Sequence, residues 1–148
     1  MTETHEFERS HEIFIDAAPG VVLDYVSHPN SWPEWIYASH YIESEDRPLK
    51  LGDTLRELWH TKSGEAELNW TSTEFQEARL RIAETITPFA CTIIVSYDVD
   101  FIEGRTKFMR TLNNPALPKP ITEKIVLAID TEAFESMENI KRNVENAA

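Results

Sequence analysis

The chain has 148 residues, 41% of them hydrophobic and 10% aromatic, which suits one domain with a core of its own and excludes a disordered class. Its formal charge is −12, from 26 acidic against 14 basic residues, a field that repels nucleic acid and anionic membrane surfaces. A lone cysteine, Cys91, excludes an internal disulfide. The charged stretch MTETHEFERSHE does not read as a signal peptide, and no run approaches a membrane span. A cytoplasmic protein is expected.

In chain order, HEIFI begins with a short strand, Ile13 and Ile15 on one face and Phe14 on the other. A helix follows, with Pro19 in its first turn and Val22, Leu23 and Val26 as its apolar side. Pro29 stops it. NSWPEWI reads as a second short helix, Ser31 a plausible cap and Pro33 early in its first turn. From about residue 38 the period becomes two. SHYIESE is a candidate strand, and RPLKLGD is a turn punctuated by Pro48 and Gly52. In DTLRELWHT, Leu55, Glu57 and Trp59 alternate with Arg56, Leu58 and His60; each phase holds one leucine, so parity leaves the inward face open. KSG reads as a hairpin turn. EAELNWTSTEF sets Leu68, Trp70 and Ser72 against Asn69, Thr71 and Thr73, and RLRIAETIT sets Leu80, Ile82 and Ile86 on one side. The next strand opposes Cys91, Ile93, Val95, Tyr97, Val99 and Phe101 to Thr92, Ser96, Asp98 and Asp100; Cys91 is expected to be a small buried hydrophobe there. EGR turns into TKFMRTL. NNPALPKP, with its three prolines, ends the sheet. A helix over roughly residues 121 to 146 carries one apolar stripe: Ile125, Ile129, Ala133, Met137, Ile140 and Val144. Lys141 and Arg142 complement its dipole.

Strand, two short helices, an antiparallel meander and one long terminal helix make an α+β architecture. One helix does not fill the concavity of a strongly curved sheet, so a space is expected between the two. That order, with IDAAPGVVLDYVSHPNSWPEW, LKLGDTLREL, EARLRIAETI and SMENIKRNVEN, resembles the START/Bet v 1-like (SRPBCC) superfamily, nearest its polyketide cyclase/dehydrase and lipid-transport group. The matching positions are Ile15, Ala17, Val22, Trp32-Pro33 and Gly52-Asp53, and the likeness covers nearly the whole chain, 1–148, as one domain. The resemblance implies a helix-grip fold: a curved antiparallel sheet of about seven strands around the C-terminal helix, with a hydrophobic cavity between. It does not imply one activity.

Candidate site residues follow from this arrangement. Ligand sites are mostly apolar with few polar groups, and Trp35, Tyr37, Trp59, Trp70, Phe108 and Met137 are the expected lining, against the plainer reading of core packing. Glu57, His40 and Tyr97 are the candidate acid–base groups; a carboxylate carried into an apolar cavity would have its pKa raised by burial. The histidines show no helical metal-ligand spacing, so no metal is expected, and neither a Gly-rich phosphate loop nor a GxSxG elbow points to a nucleotide or an acyl-enzyme; no cofactor is expected. The expected partner is a small hydrophobic or aromatic molecule, bound by a monomer or homodimer with neither nucleic acid nor membrane insertion. A cyclase, aromatase or dehydratase using the same cavity is the alternative, and an interaction protein with a large exposed apolar patch is a third.

Overall fold

A computed structural model describes residues 3–61, 64–87 and 91–147. β1 (His5–Ile15) leads into α1 (Pro19–Val26), a 3₁₀ turn (Pro29–Ser31) and α2 (Trp32–Trp35). Then come β2 (Ser39–Glu43), β3 (Thr54–Thr61), β4 (Gly64–Gln76), β5 (Leu80–Thr87), β6 (Cys91–Ile102), β7 (Arg105–Leu117) and α3 (Glu123–Ala147). The strands form one seven-stranded antiparallel sheet in the order β1-β7-β6-β5-β4-β3-β2. This is the Bet v 1-like helix-grip fold, with α3 laid across the sheet and the short helices following the first strand.

Short turns explain the meander. β6 and β7 are joined by Glu103 and Gly104, both at positive φ (51° and 81°), the pairing that a two-residue turn between right-twisted strands requires. The tip between β3 and β4 lies outside the described residues. Before β3, the Asp53 carboxylate accepts from the Lys50 N–H at 2.8 Å and pairs with Arg47 at 2.6 Å. The Gly52-Asp53 pair is therefore scaffold: it closes the turn that launches β3, and Arg47 holds the Asp53 carboxyl below its usual range.

The core lies between sheet and helices. Val22, Leu23 and Val26 of α1 are fully buried, as their spacing predicts, with Ala133, Met137, Ile140 and Val144 of α3. Thr122 Oγ1 accepts from the Ile125 N–H and caps α3. The apolar stripe does not stay covered along the whole helix: its first member, Ile125, is 46% exposed, and off the stripe Leu127 and Phe134 are 67% and 65% exposed. Lys141 does not sit in the last turn; it reaches the Phe14 carbonyl at 3.2 Å and Glu145 at 2.6 Å, tying α3 to β1.

Other expectations are corrected. β1 starts at His5 and is eleven residues long, because Arg9 and His11 find a carboxylate on α3, Asp130, at 2.6 and 2.7 Å. β7 runs through Pro115 to Leu117, where a bulge in the β1 pairing absorbs the missing proline N–H. Ser31 does not cap α2; its Oγ donates to the Tyr25 carbonyl and accepts from Trp35 Nε1. Leu80, Ile82 and Ile86 do share one side of β5, but it is the outer one, Ile86 being 79% exposed. Register decides this: Thr85 opposes Trp70, and Ala83 opposes Val95, so the small residues face the interior and leave room for the indole. Arg81 faces inward with them, 4% exposed, because α1 offers it Ser27 Oγ at 2.8 Å and Asp24 at 3.0 Å. Cys91 is exposed, at the start of β6 with φ 55°.

Candidate functional site

The concave face of β3 is built from Leu55, Glu57 and Trp59. The first two are buried, and Trp59 packs partly buried against the core. The inward phase follows from pairing with β4, where Glu57 opposes Leu68 and Leu55 opposes Trp70. Paired residues share a face, and the Leu68–Trp70 face is unambiguously apolar.

Glu57 is 1% exposed. Its Oε1 accepts from Trp70 Nε1 at 2.9 Å, while its Oε2 has no hydrogen-bond partner in the protein. Burial pushes its pKa up. The dipoles of Ser39, Trp59 and Trp70 and the charge of Arg110 oppose that rise without cancelling it. Ser39 Oγ and Trp59 Nε1 stand close enough to act on the carboxylate electrostatically, yet both fall short of a hydrogen bond and are themselves unpartnered. Arg110 Nε is buried and unpartnered as well. A buried polar atom without a partner costs about 1–3 kcal/mol, and native structures keep few of them. Here four converge on one patch: Glu57 Oε2, Ser39 Oγ, Trp59 Nε1 and Arg110 Nε.

Rings surround this patch. Tyr97 meets Trp35 edge-on at 6.4 Å and stacks on Phe108 at 6.0 Å, and Trp32 meets Trp70 edge-on at 5.9 Å. The guanidinium of Arg110 lies 5.9 Å over Trp35. Burial raises the Tyr97 pKa, with Arg110 acting in the other direction. Trp35 is aimed by α2: α1 ends at Val26, the turn Pro29–Ser31 leads into α2, and Ser31 Oγ takes the Trp35 indole N–H at 3.2 Å. Met137 of α3 is 3% exposed and belongs to the same cluster.

Of the residues expected at a site, Glu57, Tyr97, Trp35, Trp59, Trp70, Phe108 and Met137 come together. Tyr37 and His40 do not join them. Tyr37, between α2 and β2, is 95% exposed. His40 follows buried Ser39 and is directed to the outer face, its ring 3.6 Å from that of His60. Ser39 and Arg110 were not foreseen. Arg110 follows Phe108 by two, so alternation along β7 was the available signal. Among the described residues, clefts open elsewhere: one of about 230 Å³ beside Arg47 and Asp53 and one of about 140 Å³ beside Arg79 and Asp98. Neither lies between sheet and α3, where an open space was expected; there the side chains pack as one apolar cluster.

Residues 4–145 match the profile of the polyketide cyclase / dehydrase and lipid transport family. The chain belongs to this family. Among solved structures, the fold is similar to the Zhui aromatase/cyclase from Streptomyces sp. R1128 (TM-score 0.75, 10% identity, 95% of this chain and 94% of that one). It is similar also to Ara h 8.0201 (TM-score 0.73, 11% identity, 95% and 98%). The Aha1 dimer from Colwellia psychrerythraea shares it too (TM-score 0.68, 13% identity, 94% and 96%). At these identities the likeness is one of fold. A curated relative, intermediate cleaving peptidase 55 of Saccharomyces cerevisiae, is 36% identical over 59 residues, 38% of this chain and only 12% of the relative's length. Among the described residues no helix is long and apolar enough to cross a membrane.

Proposed function

We propose that this family member binds a small hydrophobic or aromatic molecule between the concave sheet face and α3, and that Glu57, Trp59 and Arg110 meet the polar end of that molecule. The observation that carries the reading is the cluster of unpartnered buried polar atoms inside an aromatic wall. Such atoms are costly unless a guest supplies partners for them. Apolar contact supplies the gross affinity, about 2.5 kcal/mol for each 100 Å² of apolar surface buried, less the cost of association. The packed interior requires side chains and the N-terminal half of α3 to move as the guest enters. That half carries the exposed Ile125, Leu127 and Phe134. The charge of −12 and the lone cysteine suit a cytoplasmic single-domain carrier, monomeric or homodimeric. Tryptophan quenching and native mass spectrometry against a panel of aromatic and aliphatic compounds test it. A saturable partner, weakened in Arg110→Met and Trp59→Phe, is expected; no uptake of any apolar compound overturns it.

A second reading is favoured by Glu57 itself. A carboxylate whose proton affinity is raised by burial, beside the Tyr97 phenol and the Arg110 guanidinium, is equipped to move a proton on a folded aromatic or polyketide-like substrate. In that case turnover follows a pH profile that Glu57→Gln abolishes while binding persists.

A further inference from the structure

On the outer face of the same sheet edge, His40 of β2, His60 of β3 and Glu65 of β4 present one donor atom each, all within 4.8 Å of one another. Backbone geometry brings them there. His60 and Glu65 are a directly opposed pair on β3 and β4. A bulge in β2, between Ser39 and Tyr41, inserts His40 as an extra residue and aims it outward. The two imidazoles come to lie 3.6 Å apart, ring to ring, with their planes tilted by 36°.

The spacing of the third donor separates this cluster from the other histidines. His11 and His28 meet their carboxylates at 2.7 and 2.8 Å, hydrogen-bond distances. His40 Nε2 stands 3.8 Å from Glu65 Oε1, too far for a hydrogen bond. Two donors each about 2.1 Å from one tetrahedral zinc ion stand roughly 3.4 Å apart. A small side-chain rotation therefore closes the three donors on one ion. We propose that His40, His60 and Glu65 form a binding site for a borderline divalent transition metal, zinc by its donor set of two imidazoles and one carboxylate, with the remaining coordination position open to solvent. No spacing in the sequence predicts it, since the ligands come from three strands. The site ties the edge strand β2 to its two neighbours. It stands behind Ser39 and Trp59, whose chain neighbours His40 and His60 supply the imidazoles.

The test is calorimetric titration of Zn²⁺ into tag-free protein in a non-chelating buffer, repeated with His60→Ala and Glu65→Gln, with histidine-selective NMR alongside. One equivalent is expected to bind, the zinc to shift the ring signals of His40 and His60 but not those of His11 and His28, and each substitution to weaken binding at least about tenfold. The substituted residues are exposed, so circular dichroism without zinc should match the parent. Absence of binding, binding undiminished by both substitutions, or ring shifts confined to His11 and His28 would each overturn the proposal.

Discussion

Replacing Glu57 by glutamine isolates the charge from the shape. The amide oxygen keeps the 2.9 Å bond from Trp70 Nε1, and the amide N–H₂ can donate to Ser39 Oγ, which has no partner now. What disappears is a carboxylate that is 1% exposed and whose pKa burial has raised. The sign follows from linkage. A folded pKa above the unfolded value contributes stability below the unfolded pKa, about 4.3 for Glu. That contribution is lost as pH rises through the folded pKa. The parent should therefore lose ground to Glu57→Gln across the acid-to-neutral range and then level off. Each tenfold rise in proton affinity corresponds to about 1.4 kcal/mol, or roughly 3–6 °C in Tm for a chain of this length. Thermal unfolding followed by circular dichroism between pH 4 and 8, parent and variant side by side, reads the difference. A Tm gap that does not change with pH, or one that moves in favour of the parent as pH rises, would mean that Arg110 outweighs burial and that Glu57 is an ordinary ion-paired carboxylate.

Phe108→Ala removes a fully buried ring that stacks on Tyr97; a loss of about 3–5 kcal/mol in denaturant unfolding is expected, and an apolar guest that fills the vacated space should restore part of it. Asp130 is held well below the usual carboxylate range by hydrogen bonds and charge from Arg9 and His11. Its contribution is present above the unfolded pKa and is lost as pH falls toward the folded one. Asp130→Asn should thus lower Tm at neutral pH and flatten its fall in acid, measured from pH 2 to 6, whereas a parallel fall in both proteins would assign acid sensitivity elsewhere.

Most of the architecture was legible because apolar period and punctuation agreed. Val22, Leu23 and Val26 read as one helix side and are one. Ile93, Val95, Tyr97 and Val99 read as one strand face and are buried together. Where the reading failed, a long-range partner had overruled a local preference. Charged β1 is a full strand because α3 places Asp130 opposite Arg9 and His11. β5 turns Arg81 inward because α1 presents Ser27 and Asp24 to it. No window of β5 contains that information. The same holds for His40, whose direction depends on a bulge that only the pairing of β2 with β3 creates.

The inward face of β3 is an intermediate case, and it decides the site. Within the strand, Leu55 and Leu58 are balanced. Across the hairpin they are not. Leu55 pairs with Trp70 and Glu57 with Leu68, so the register transfers the clear apolar phase of Leu68 and Trp70 onto Leu55 and Glu57. Pairing with β4 thus carried the answer that hydrophobicity within β3 lacked. The same transfer delivers a carboxylate into the interior beside Trp70 and sends His60 to the opposite face beside Glu65. A slip of one residue would reverse every side chain of the strand. It would place Arg56, Leu58 and His60 inside and dissolve both the interior polar cluster and the outer histidine pair. The register of one hairpin is therefore the structural fact on which both proposed sites depend.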